Sequence, residues 1–237
     1  MRVAMCFYGK VGGRAGKDMS GESLDPSVAF EYYKKNIFDR HSSVDIFMHS
    51  WSPEAEHTLN ALYEPAAALH ECQPSEYDKH MGNSESAAHL FGRSACRWLS
   101  TKKVIDLKKK HEEESGFIYD MVMLNRYDVA WVSPLDLTKF DRDYMWVSHW
   151  NDGNVHVPPN TKNHTGARGG FLDLWFFGAS STLDKMSLLF DRMDRYHPNP
   201  HVSSLQHTRF CKIKYKFAFY RWQDYDLVRR KIYGERR

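Results

Sequence analysis

The segment from Tyr119 to Val132 constrains this chain most: an almost continuous apolar run with two charges, Arg126 and Asp128, set into its second half. An apolar run of this kind, stopped by Ser133-Pro134, predicts a strand buried on both faces, the environment of a parallel sheet under helices. Residues two apart on a strand face the same side, so Arg126 and Asp128 are expected together. Charges in such a place are costly unless they pair or coordinate. Two readings follow. The residues form a satisfied buried ion pair, or they serve a bound diphosphate and a metal ion, with Asp128 supplying hard oxygen ligands.

The flanking pattern repeats the theme. Arg2–Tyr8 reads as a first buried strand ending at Gly9, and Val44–Trp51 as a second. Asp25-Pro26 predicts a helix start, with Asp25 as the cap and Pro26 in the first turn. That helix is expected to run to about Arg40. A long amphipathic helix is expected from Glu85 to Lys110, followed by a solvated charge run over Lys108–Glu114. Later strands are expected at Tyr144–Val147, Leu172–Gly178 and Ile213–Tyr220, with helices over Ser181–Tyr196 and His201–Arg209. Strands alternating with helices predict an α/β fold: one domain, its sheet mostly parallel, with helices on both faces. The length of 237 residues fits one such domain.

Composition narrows the function. Hydrophobic residues make up 42% and charged residues 27%, enough for a large core and unlike a disordered chain. The net charge of +3 is too small to point to nucleic acid, although Thr208–Arg237 carries ten Lys/Arg against three Asp/Glu. No stretch approaches the roughly 18–20 apolar residues of a membrane span. No secretory leader is expected either, which points to a cytoplasmic protein. The four cysteines, Cys6, Cys72, Cys96 and Cys211, have no metal-binding spacing and read as free thiols.

Three groups of residues carry possible chemistry. The first is the loop after the first strand, with five glycines between Gly9 and Gly21 and the cations Lys10, Arg14 and Lys17. It has neither the Gly-Lys-Ser/Thr ending of a phosphate-binding P-loop nor a dinucleotide fingerprint. Backbone N–H groups and Arg14 still suit a diphosphate, while a plain flexible connection fits equally well. The second group is Arg126 and Asp128. The third is Asp173, one carboxylate in an aromatic stretch, Phe171–Gly178. Burial there is expected to raise its pKa, as suits a general base, unless it caps a helix or bonds nearby backbone. The histidines show no metal spacing. His207 is the one suited to complete a metal site built on a strand-end Asp.

Taken in order, Tyr8-Gly9, Val44–Trp51, Tyr119-Asp120, Asn125–Asp128 and Leu172–Gly178 resemble small GT-A-type glycosyltransferases and glycosyltransferase-like proteins. Such proteins occur in bacterial surface-polysaccharide loci and in large DNA viruses. The resemblance spans about Arg2 to His207. It implies a GT-A-like, Rossmann-like fold, with residues 1–132 as the nucleotide or donor half and 133–237 as the acceptor half. It also implies a nucleotide-diphosphate sugar donor, Mn²⁺ or Mg²⁺, and a glycan or glycoprotein acceptor. Gly9, Lys10 and Arg14 match the donor-side loop. Asp45 falls near the base or ribose, Asp128 at the metal-binding acidic motif, and Asp173 where an acceptor-side acid sits. The chain departs from the usual Asp-x-Asp at Arg126, which leaves one acidic residue for the ion. A non-catalytic nucleotide- or carbohydrate-binding module on the same fold is the alternative. The expected compartment is bacterial cytoplasm, or host cytoplasm for a viral protein.

Overall fold

The computed structural model describes residues 1–11, 24–75, 87–149, 170–221 and 223–228. Its frame is a seven-stranded sheet. β1 (Val3–Gly9) lies between two parallel neighbours, β2 (Val44–Ser50) and β4 (Met121–Arg126), and β3 (Ala67–His70) extends the sheet beyond β2. β7 (Phe171–Gly178) runs antiparallel to β4 and to β6 (Met145–His149), and β8 (Tyr215–Phe217) closes the far edge parallel to β6. The order is β3-β2-β1-β4-β7-β6-β8. β5 (Val129–Trp131) and β9 (Tyr225–Leu227) form a separate antiparallel pair. The fold class is the expected one: a mixed, mostly parallel sheet in an α/β domain. One sheet joins both halves of the sequence, because β7 pairs with β4.

Alternate residues of β1 explain the layers. Val3, Met5 and Phe7 face α1 (Pro26–Asn36) and α2 (Glu56–Tyr63), packing on Tyr33, Leu59 and Tyr63. Ala4, Cys6 and Tyr8 face α3 (Ala87–Ser115), with Trp98, Val104 and Ile105, and then Leu183 of α4 (Ser180–Ser187) and Leu205 of α5 (Pro200–Phe210). Two-sided burial is why β1 and β4 carry almost no polar residues until their ends. Asp25 caps α1 as expected, its Oδ1 accepting from the Ser27 N–H at 2.9 Å, with Pro26 in the first turn.

Three expectations need correction. The apolar run of Tyr119–Val132 is two strands in two sheets, broken at Tyr127-Asp128, because β5 leaves the main sheet to pair with β9. The helix expected over Ser181–Tyr196 is α4 followed by a 3₁₀ segment, Phe190–Arg195. The charge run at Lys108–Glu114 is solvated only in part: Lys110, Glu113 and Glu114 are exposed, but Lys108 and Glu112 are buried. Lys108 is fully buried, and its Nζ reaches Glu112 at 2.8 Å, Asp184 at 2.7 Å and Ser180 at 2.5 Å. A long helix of 29 residues carries its inward stripe right through the charged stretch. There, complete pairing makes the buried cation tolerable.

Candidate functional site

The strand order reverses between β1 and β4: β2 and β3 follow β1 outward on one side, and β4 returns to the other. In open α/β sheets ligands bind beyond the carboxyl ends of the strands at such a reversal. Tyr8 and Arg126 lie side by side there, as register partners at the last paired rung of β1 and β4.

Arg126 holds Asp128 with both arms of its guanidinium: Nε to Oδ1 at 2.8 Å and Nη2 to Oδ2 at 2.5 Å. Asp128 is 8% exposed along its side chain and Arg126 is 29% exposed. The Tyr33 hydroxyl donates to the Arg126 carbonyl at 2.8 Å, which fixes the end of β4 from the α1 side. Charge from Asp128 and Asp173 outweighs the desolvation of Arg126, so its guanidinium holds its proton more tightly than usual.

Asp173, the third residue of β7, faces the same cluster. Arg97 of α3 reaches its Oδ2 through Nε at 2.5 Å and its backbone carbonyl through Nη2. His201 of α5 places Nδ1 3.2 Å from its Oδ1 and 2.9 Å from the Phe171 carbonyl. The Tyr8 hydroxyl donates to the Asp173 carbonyl at 3.0 Å. Burial alone would raise the Asp173 carboxyl, but charge from His201, Arg97 and Arg126 outweighs it and holds it well below the usual range. This reverses the expectation of a raised pKa. The apolar sequence around Asp173 gives no sign of the arginine that reaches it from α3. Arg97 itself stacks on Trp98, its guanidinium carbon 3.9 Å from the ring centroid, and on Tyr8 at 4.7 Å.

The other expected site residues lie as follows. Gly9 ends β1 with φ +106°, a left-handed turn that suits glycine. Lys10 follows it and is exposed. Arg14 and residues 151–169 of the long polar loop lie outside the described residues. Asp45 is not at the crevice. It pairs in register with Ala4 near the amino ends of the strands, and the Tyr119 hydroxyl donates to its Oδ2 at 2.6 Å. In a parallel sheet the base or ribose would sit at the other end, about 13 Å away along the strand. His207 is fully buried in α5. Its Nδ1 lies 3.1 Å from Tyr196 Oη and its Nε2 2.8 Å from the Lys185 carbonyl, so both ring nitrogens already have protein partners. Among the described residues no group of three or more His, Cys, Asp or Glu side chains is placed to hold a metal. With both Asp128 oxygens bound by Arg126, the described residues offer no donor set that fits Mn²⁺ or Mg²⁺.

Sequence reasoning missed Arg97 and His201, and gave Tyr8 no role of its own. Arg97 had a signal: Ser94, Arg97 and Thr101 recur at three- and four-residue spacing along α3, a polar stripe on a buried helix face. It missed a second cluster as well. His49 of β2 places Nδ1 2.7 Å from Ser100 Oγ and Nε2 3.1 Å from Glu71 Oε1, and Lys103 pairs with the same Glu71 oxygen. The trio has the residue types of a hydrolytic triad. Ser100 is fully buried, however, and its Oγ already accepts from the Gly9 N–H at 2.8 Å, so no substrate reaches it.

Burial pushes the His49 pKa down to about 4, and the facing Glu71 only partly offsets it. The unfolded chain then binds the proton near pH 6.5 and the folded chain only near pH 4, so this stability is present above pH 6.5 and lost on acidification through that window. At 1.36 kcal/mol per pKa unit the loss is about 3 kcal/mol. Urea midpoints measured from pH 7 to pH 4 should fall for the native chain, and His49→Gln should flatten that slope. Equal slopes for the two proteins would refute the assignment.

No protein-family model matches the chain, and no curated protein sequence matches it. Among solved structures, the glycosyltransferase GlyE of Streptococcus pneumoniae TIGR4 is similar, with 13% identity and a TM-score of 0.45, over 94% of this chain and 47% of that one. Its apo form gives 12% identity and a TM-score of 0.43, over 91% and 44%. The chain thus spans about half the length of these structures. The likeness is one of chain path and does not reach the chemistry. Among the described residues no helix is long and apolar enough to cross a membrane.

Proposed function

We propose that this chain is a glycosyltransferase that moves a sugar from a nucleoside-diphosphate donor to a glycan or glycoprotein acceptor. The observation that carries the reading is the meeting of Tyr8 and Arg126 at the strand reversal, one residue from the turn at Gly9. A diphosphate needs cations and N–H donors at that place. Arg126 is a cation partly open to solvent, and Lys10, exposed, follows the turn at Gly9 in the sequence, with Arg14 four residues further on. In the reaction the anomeric carbon–phosphate oxygen bond breaks and its electron pair leaves on the diphosphate. The acceptor hydroxyl oxygen bonds the anomeric carbon. Arg126 stabilises the charge that develops on the leaving group. Asp173, held ionised by its neighbours, is a poor base. Its role is to fix Arg97 and the floor of the crevice, and the acceptor proton passes to the departing phosphate oxygen. No step is routed through a metal.

A second reading, a non-catalytic nucleotide- or carbohydrate-binding module, is favoured by one observation: both carboxylates of the site are closed into arginine pairs. A thermal-shift screen of nucleoside diphosphates and nucleotide sugars, each with and without Mn²⁺, tests the shared premise. A ligand at 100 times its Kd adds about 2.7 kcal/mol, a rise of roughly 5–10 °C for a chain of this size. No shift with any of them would overturn the transferase and the nucleotide-binding form of the module, leaving only its carbohydrate-binding form. Binding without slow donor hydrolysis would leave the module.

A further inference from the structure

The two halves of the Arg126–Asp128 pair are held by different sheets. Arg126 is the last residue of β4 in the main sheet, and Asp128 directly precedes β5, which forms a two-stranded sheet with β9. The main sheet fixes Arg126, through its rung with Tyr8 and the Tyr33 bond to its carbonyl. β9 fixes Asp128. Val129 pairs with Leu227, so Val228 comes opposite Asp128, and its N–H donates to the Asp128 carbonyl at 2.7 Å. At the other end of β5 the Val132 and Ser133 N–H groups donate to the Asp224 carbonyl at 2.9 and 3.0 Å. β9 is in turn tied to the main sheet. The Tyr225 hydroxyl is hydrogen-bonded to Ser148 of β6, and its ring packs on Trp131 and Trp175 at 5.2 and 5.6 Å. The two-armed bond therefore spans a joint between sheets, and β9 sets that joint.

We infer that β9 is a strap: through the Val228 N–H it keeps the Asp128 carboxylate closed on the guanidinium of Arg126, where that carboxylate competes with an incoming diphosphate. Val228 is a positioning residue, acting through Asp128. The inference rests on the donor-site reading above. A carboxylate and a phosphate bind a guanidinium with the same two-armed geometry. A carboxylate at 2.5–2.8 Å also cancels much of the attraction that the cation offers a second anion. Held by its own backbone, Asp128 is an intramolecular competitor with a high effective concentration. Loosening its backbone lowers that concentration. A weakened strap must then raise affinity for a diphosphate, whereas general disorder at the site would lower it.

The probe is inorganic pyrophosphate, titrated calorimetrically in EDTA well below the unfolding midpoint of every variant. Val228→Pro removes the N–H, a change that the end of an edge strand tolerates. It should raise affinity about threefold, the size of one coupling within a hydrogen-bonded network. Val228→Ala, the conservative variant, retains the N–H and should bring affinity back to the native value. In an Asp128→Asn background Val228→Pro should add nothing, because the competitor it releases has lost its charge. Tyr225→Phe cuts the bond from β9 to Ser148 and should raise affinity about twofold; it serves if Val228→Pro does not fold. A strand with a structural role alone would lower midpoints and leave affinity native or weaker. That result in Val228→Pro, or in Tyr225→Phe in its place, overturns the strap and leaves the donor site standing. So does a rise that persists in the Asp128→Asn background. Absence of pyrophosphate binding in the unaltered chain and in both variants would overturn the donor-site reading, and the strap with it.

Discussion

Arg97→Met should destabilise the chain by about 3–5 kcal/mol, the cost of leaving one partner of a buried ion pair uncompensated. The pair is well buried, with side-chain exposures of 11% for Arg97 and 8% for Asp173. Methionine can keep the stacking on Trp98 and Tyr8, so lost packing is a minor part. The carboxylate is the major part: it keeps His201 at Oδ1 but loses the guanidinium at Oδ2, and the Asp173 carbonyl loses its bond from Arg97 as well. For a chain of this length the midpoint should fall by roughly 6–20 °C. Asp173→Asn placed in the Arg97→Met background should restore part of the loss, with a coupling of at least about 1 kcal/mol in the double-mutant cycle. Urea denaturation of the four proteins gives the result. A single mutant within 1 kcal/mol of the native chain would show that the pair is not uncompensated when broken.

The second large effect concerns binding. Arg126→Ala should weaken nucleoside-diphosphate affinity about 10- to 100-fold, since charge-assisted hydrogen bonds contribute about 1.5–3 kcal/mol. Arg126→Lys should recover the charge but not the two-armed geometry, and should fall between. Asp128→Asn separates two roles for its carboxylate. As the counterion of Arg126, its loss leaves the guanidinium freer, so affinity measured in EDTA should hold or rise. As a metal ligand, its loss should abolish a Mn²⁺-dependent gain in affinity. The two-armed bond from Arg126 to Asp128 favours the first outcome. Calorimetry with and without Mn²⁺ reads both, and native affinity in Arg126→Ala would remove Arg126 from the site.

The pattern of apolar runs and caps made much of the frame legible. β1, β2 and β7, α1 with its Asp25 cap, and the long α3 follow from periodicity and from Pro and Gly placement. That Arg126 and Asp128 come together was legible from their spacing, but not that they close into an ion pair, nor that the strand ends between them. Asp45 was misplaced for a reason of the same kind. A strand's residues announce burial, but not which end of the sheet holds the ligand. That depends on the direction of the neighbouring strands, which is a long-range property.

Local sequence determined which segments become strands and helices, because side-chain period and backbone preference act within a few residues. It also placed charge where burial makes charge expensive. Only the tertiary structure decided what those charges meet. Arg97 and Asp173 are 76 residues apart, His49 and Ser100 are 51 apart, and Lys108 and Asp184 are 76 apart. Electrostatic energy depends on distance through space and on the water excluded around each group. A carboxylate that reads as a lone base along the chain therefore becomes a firmly ionised partner once the chain has folded.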